Sequence, residues 1–340
     1  MTIRMKDIAR DLGVSVVTVS KVLRNHDDIG PATRKRVLQR IKELNYRPNL
    51  AARALVTGRS HIMGLVVPDL VHPFFSQVAK GLSRILRTKG FSLIIASSEE
   101  DTELEKQEIE QMLARRLDAL FVASAQSNTE SFRGIEEQKT PFVLIDRRFE
   151  GLAAHYVGTD DEAAGFMATE HLIENGCRGI AHIGGVDVSP AVDRLAGYKL
   201  ALQRHGIGVP ADYIVCRAHG DDAGDVTGYH SMLELLQLKS VPEAVFCYND
   251  TTAMGAMNAI LDAGLRIPED IALVGCGNVH YAGFLRVPLT SIDQSSELIG
   301  ENAAAIALDL VESKKPSRPK SVLLQPKLVV RQSSGIVTNK

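Results

Sequence analysis

Residues 5–23 read Met5-Lys6-Asp7-Ile8-Ala9-Arg10-Asp11-Leu12-Gly13-Val14-Ser15-Val16-Val17-Thr18-Val19-Ser20-Lys21-Val22-Leu23. Met5, Ile8, Ala9 and Leu12 fall at i, i+3, i+4 and i+7, which is one face of an α-helix, and Gly13 suits its end. Ser15 then suits an N-cap. A second helix from about Val16 carries Val19, Val22 and Leu23 on one side, leaving Val17, Thr18 and Lys21 free on the other. Two short helices separated by Gly13-Val14 make a helix-turn-helix. Further on, Gly30-Pro31 offers a cap followed by a proline at the first helical position, and the third helix is expected to bury Val37, Leu38, Ile41 and Leu44. Helices this short make only a small core. An exposed second helix explains them better, because in such motifs its N-terminal residues enter the major groove while flanking basic residues hold phosphates.

Charge supports an anionic partner at this end. Residues 1–60 hold thirteen Lys or Arg against five Asp or Glu, a net of +8, so the remainder carries −10 of the overall −2. Hydrophobic content of 45% and charged content of 24% are those of an ordinary globular protein. The apolar runs are too short to span a bilayer, and the charged N-terminus lacks a signal-peptide pattern, so a cytoplasmic protein with no membrane partner is expected. Cys177, Cys216, Cys247 and Cys276 are far apart without C-x-x-C spacing, which argues against zinc or disulfides; they read as reduced core residues. No cofactor motif is present.

Lys6-Asp7-Ile8-Ala9, Gly13-Val14-Ser15, Thr18-Val19-Ser20-Lys21-Val22-Leu23 and Leu44-Asn45-Tyr46-Arg47-Pro48-Asn49 together resemble the lactose-repressor (LacI/GalR) family. The resemblance continues through Ala51-Ala52-Arg53-Ala54-Leu55, similar to the family's hinge helix, and reaches about Ser333. It implies phosphate contacts from Ser15, Thr18, Ser20, Thr33, Tyr46 and Asn49, base reading by Val16, Val17 and Lys21, and hinge contacts from Ala52 and Leu55. Leu55 would wedge into a minor-groove step once the hinge helix pairs with its dimer mate on DNA. The competing reading of the hinge is a frayed connector with Leu55 packed on the core, since a helix this short is marginal alone. Arg4 and Arg24 depart from the family's usual Thr or Ser and Asn. Val16 and Val17 offer no side-chain donor, which suits thymine methyl groups.

From His61 onward short apolar runs alternate with amphipathic stretches: Ile62–Val67, Leu93–Ala96, Ala119–Ala123, Phe142–Ile145, Ile180–Ile183, Ala244–Cys247 and Ala272–Gly275. The alternation indicates parallel sheets wrapped by helices, in two lobes of five or six strands split near 157–161, with segments after Ser291 crossing back. The expected organisation is an all-α helix-turn-helix domain at 1–48, a hinge at 49–60, an α/β two-lobed sensor similar to periplasmic binding proteins at 61–333, and a tail at 334–340. That tail lacks the apolar heptads of a tetramerising bundle, so a homodimer on a pseudo-palindromic double-stranded operator is expected.

Ligands of open α/β sheets bind beyond the carboxyl ends of the strands. Candidate effector contacts there are Asp69, His72, Phe74, Phe75, Ser124, Asp146, Arg147, Asp160, Asn249 and Asn278. The resemblance adds Arg194 as the effector-binding arginine and places Asp222 where an aromatic often stacks. Each has a plainer alternative: Asp69 or Asp250 as helix caps, Arg194 as an internal ion-pair partner, Phe74 as core. Gly277 stands where the family often has an acidic residue. With Asp222 in place of an aromatic, this turns the expectation from a purine corepressor toward a sugar, sugar acid or phosphorylated metabolite. Catalytic fingerprints are missing, so an enzyme is not expected. A plain solute-binding protein would have no use for the basic helix-turn-helix. Repression is favoured over activation by resemblance alone.

Overall fold

Asp7 caps the first helix from inside it: its Oδ2 accepts the Arg4 N–H at 2.9 Å, so the missing Thr or Ser at position 4 leaves no gap in the cap. In the computed structural model, residues 3–23, 26–47, 54, 58–126, 129–149, 151–185, 187–216, 224–313 and 318–335 are described. The chain divides into two units, 1–60 and 61–340.

The first unit holds α1 (Met5–Leu12), α2 (Val16–Leu23) and α3 (Pro31–Glu43). Gly13 closes α1 at φ 64°, a left-handed conformation that costs glycine little. Ser15 Oγ accepts the Thr18 N–H at 3.0 Å and so caps α2. Ile8, Ala9, Val19, Val22 and Val37 form the buried centre, with Ile41 and Leu44 packed partly against it. Leu38 departs from expectation: it is 47% exposed. Val37, Ile41 and Leu44 follow the i, i+4, i+7 spacing of one face, and Leu38 lies one residue, about 100°, off it.

The second unit contains two six-stranded sheets. Sheet one has the order β11-β5-β4-β3-β1-β2, from β1 (Ile62–Val67), β2 (Ser92–Ser97), β3 (Ala119–Val122), β4 (Phe142–Ile145), β5 (His155–Thr159) and β11 (Ser321–Leu324). Sheet two has the order β12-β10-β9-β8-β6-β7, from β6 (Ile180–Gly184), β7 (Ile214–Cys216), β8 (Ala244–Cys247), β9 (Ala272–Cys276), β10 (Thr290–Asp293) and β12 (Lys327–Val329). Among the described residues all pairings are parallel except β10 with β12, so the all-parallel expectation fails at one edge. Only Gln325 and Pro326 separate β11 from β12. The chain changes sheet after β5, after β10 and again after β11.

Helices α4 (Pro73–Thr88), α5 (Thr102–Ala114), α6 (Arg133–Glu137) and α11 (Ser296–Glu312) pack on sheet one; α7 (Asp161–Glu174), α8 (Ser189–Arg204), α9 (Gly224–Leu236) and α10 (Asp250–Asp262) pack on sheet two. Helices α7 and α8 cross very closely. A Cβ on Gly197 would lie 2.0 Å from the Glu162 carbonyl oxygen, and one on Gly165 2.0 Å from that of Arg194. This contact sets Arg194 against the start of α7. All four cysteines are free, but Cys216 is exposed and Cys177 half-buried, which corrects their reading as core residues. Cys216 ends β7, an edge strand, where fewer neighbours cover it.

Candidate functional site

The outer face of α2 presents Val16 and Val17, 44% and 61% exposed, with Ser15 exposed at its start. Exposed aliphatic side chains on so short a helix serve no core and suit an apolar contact with a partner. Thr18, Ser20 and Thr33 are half-buried, and burial raises the pKa of the partly covered Tyr46 phenol. Lys21 is not idle: its ammonium pairs with Asp28, whose carboxyl it holds below the usual range. Its ammonium has two further N–H donors beyond that pair. Arg24, Asn49, Ala52, Leu55 and Asp222 lie outside the described residues.

The second site builds from the ends of strands in the two sheets. Beyond β4, Asp146 adopts φ 64°, uncommon for a side-chain-bearing residue but tolerated by Asp. Arg147 beside it is 5% exposed and donates to both oxygens of Glu100, at 2.8 and 2.7 Å, and to the Ser124 carbonyl at 3.0 Å. Burial opposes its charge, yet Glu100 outweighs that and raises its pKa, so the guanidinium stays ionised. In the other lobe Arg194, 3% exposed, donates through Nε to Asp161 Oδ1 at 2.8 Å and through Nη1 to the Tyr248 carbonyl at 2.8 Å. Its guanidinium also lies 4.8 Å from the centre of the Tyr248 ring.

Burial pushes the Asp161 carboxyl up to about 7 against the pull of Arg194. It also raises Asp146, with Arg194 and Arg147 opposing and Glu100 reinforcing, so charges from both lobes bear on one carboxyl. Burial takes the Tyr248 phenol up to about 12 and the His72 imidazole down to about 4. His72 is thus neutral at pH 7. Its Nδ1 accepts the Phe74 N–H at 3.3 Å and caps α4, which leaves the proton on Nε2. That atom faces Asn249 Nδ2 from the other lobe at 3.3 Å. Asn249 cannot offer its oxygen instead, because Oδ1 caps α10 through the Thr252 N–H at 2.8 Å and also takes the Thr251 hydroxyl. Two donors therefore converge on a place suited to a ligand oxygen.

The lobes thus bring together His72, Asp146, Arg147, Arg194 and Asn249. The other candidates are engaged elsewhere. Ser124 is fully buried and gives its hydroxyl to Glu105 at 2.6 Å. Asp160 caps α7 through the Ala163 N–H, Asn278 accepts from Arg331 at 2.6 Å, and Asp69 closes a turn onto the Val71 N–H. Phe74 and Phe75 pack edge to face in the lobe core, 5% and 6% exposed. Asp250 caps nothing: it is buried, accepts from Ser291 and Val279, and is pushed up to about 6 by burial. Sequence reasoning missed Glu100, Asp161 and Tyr248. Tyr248 could have been found, since it directly follows an apolar run; the two acids gain their place only from the arginines they meet.

Residues 4–49 match the bacterial regulatory proteins of the lacI family, and residues 169–334 match a periplasmic binding protein-like domain. The HTH-type transcriptional repressor PurR of Aliivibrio salmonicida is 30% identical over 331 residues, covering 97% of this chain and 98% of that protein. The chain belongs to the LacI family. Another LacI-family relative, the ribose operon repressor of Escherichia coli K12, is 33% identical over 310 residues, covering 89% of this chain and 92% of its own. The Lac repressor dimer bound to operator and the anti-inducer ONPF superposes with a TM-score of 0.86 at 26% identity, covering 98% of this chain and 99% of that one. As a LacI-family protein the chain is a DNA-binding transcriptional regulator of the repressor class with a small-molecule effector, and is not an enzyme. No helix among the described residues is long and apolar enough to cross a membrane.

Proposed function

We propose that this repressor works in the cytoplasm as a homodimer on a pseudo-palindromic operator, reading it through α2 and residues 49–55, and that its effector is a sugar or sugar derivative held between the two lobes. The observation that carries the effector reading is the convergence of His72, Asp146 and Arg147 from one lobe with Arg194, Tyr248 and Asn249 from the other. A cleft of buried donors and acceptors at strand ends suits a small molecule rich in hydroxyls. The ribose operon repressor among the relatives supports that class. A homodimer follows from the reader's size, since one such helix covers only a half-site.

The effector must bind the closed lobes better than the open ones, because only that difference can move operator affinity, by a coupling of ~1–3 kcal/mol. Thermal stabilisation against sugars, sugar acids, sugar phosphates and nucleobases tests the site, followed by operator titration with any compound that binds. Arg194→Ala should abolish the stabilisation. A compound that stabilises this variant as much as the parent, or leaves operator affinity unchanged, would falsify the proposed site.

A further inference from the structure

Each guanidinium of the cleft is neutralised within its own lobe. Arg147 meets both oxygens of Glu100, and Arg194 meets Asp161 twice, through Nε at 2.8 Å and Nη2 at 2.7 Å. A backbone carbonyl takes one further N–H of each arginine, Ser124 for Arg147 and Tyr248 for Arg194. Glu100 is held for this purpose: its backbone is left-handed at φ 57°, and its N–H donates to the Pro68 carbonyl at 3.0 Å, tying the loop after β2 to the loop after β1.

The unsatisfied groups are of both kinds. Among the described residues, Arg147 Nε is a buried donor without a partner, and Asp161 Oδ2 a buried acceptor without one. His72 Nε2 and Asn249 Nδ2 face each other across the lobes at 3.3 Å, and burial raises the Asp146 carboxyl beside Arg147. Hydroxyl groups both donate and accept, and so can satisfy every one of these atoms. A carboxylate or phosphate only accepts. It would also bring negative charge to a cleft whose two arginines are already occupied by Glu100 and Asp161.

Resting on the effector site proposed above, we infer that Glu100 is a specificity-determining residue, and that by occupying Arg147 it restricts the cleft to an uncharged polyhydroxylated effector. Sugar acids and sugar phosphates are excluded. Glu100→Gln leaves the charge of Arg147 unbalanced, and Asp146→Asn removes any negative charge that this carboxyl holds; both changes turn the cleft toward anions.

The full chain is dialysed against an equimolar mixture of neutral aldoses and polyols, the matching aldonic acids and the matching sugar phosphates, and the retained compounds are identified by mass spectrometry. Wild type should retain neutral members only. Glu100→Gln should raise the ratio of anionic to neutral retention by about tenfold, the equivalent of ~1.4 kcal/mol, with Asp146→Asn shifting it the same way. Operator binding without ligand checks that both variants fold, and if either does not, the wild-type panel decides alone. Preferred retention of an anion by wild type overturns the inference, as does retention of no member or an unchanged ratio in two folded variants. Operator titration with the retained compound keeps the two readings apart. A neutral compound that binds without changing operator affinity sinks the sensor reading alone; an anion that binds and changes it sinks the charge inference alone.

Discussion

The two lobes share a strand order and a design of buried arginine against acid, but they place the acid differently. In the first lobe Glu100 reaches Arg147 from a loop and remains 25% exposed; in the second Asp161 lies wholly buried in the first turn of α7, beneath Arg194. Because each of these two buried arginines keeps its acid within its own lobe, both pairs survive when the lobes part. Contact between them falls to the rim, where Arg148 pairs with Asp193 at 2.7 Å and its N–H donates to Ser189 Oγ at 2.9 Å, and to the facing pair His72 and Asn249. Pairs of this kind can break and reform as a sensor opens and closes.

Removing each arginine tests this contrast most strongly. Arg194→Met strands a fully buried carboxylate, and the expected loss of stability in urea unfolding is ~3–5 kcal/mol at pH 8. The loss should shrink at pH 6: burial raises the Asp161 pKa, so without its partner the group takes up a proton rather than stay charged. Arg147→Met should cost clearly less, because Glu100 can turn to water. Equal losses for the two variants would erase the difference between the lobes.

A second asymmetry is His182 in the second lobe, fully buried between the rings of Tyr198 and Phe246 at 5.3 and 5.0 Å, its Nε2 without a partner among the described residues. Burial lowers its pKa to about 4, against about 6.5 for an unfolded histidine. The folded protein therefore binds fewer protons than the unfolded chain between these values. The contribution to stability is complete above pH 6.5 and declines as the pH falls toward 4, by roughly 3 kcal/mol in all. Melting curves from pH 7 to 4.5 should show His182→Phe losing less stability than wild type, with the part due to His72 remaining. Identical acid profiles would remove His182 as a cause.

The smallest effect is expected at the seam. Arg148→Ala breaks an ion pair whose arginine is 46% exposed, and should cost under ~1 kcal/mol of unfolding stability. Small-angle scattering should nonetheless show a wider average separation of the lobes, since the pair joins them. A large stability loss with no change in scattering would place Arg148 inside the fold of one lobe and not between the two.

The sequence by itself determined the caps, the helix-turn-helix, the presence of two wrapped sheets and the strand-end residues Asp146, Arg147 and Asn249, because these depend on neighbours within a few positions or on strand ends, whereas Arg194 was expected from the family resemblance. Gly13 and Ser15 act within one turn, and alternating apolar runs need only local patterning. Short strands were harder to read. β5, with its internal Gly158, and β10 to β12 owe their existence to partners far along the chain, and Leu38 was misplaced because spacing alone cannot say how far round a helix the core extends. Tertiary structure alone decided which acids neutralise which arginines. Glu100 stands 47 residues before Arg147 and Asp161 33 before Arg194, and no periodicity spans such intervals. Charge pairing in a cleft is set by burial and by the close crossing of α7 with α8, where the absence of two side chains, at Gly165 and Gly197, lets the helices meet.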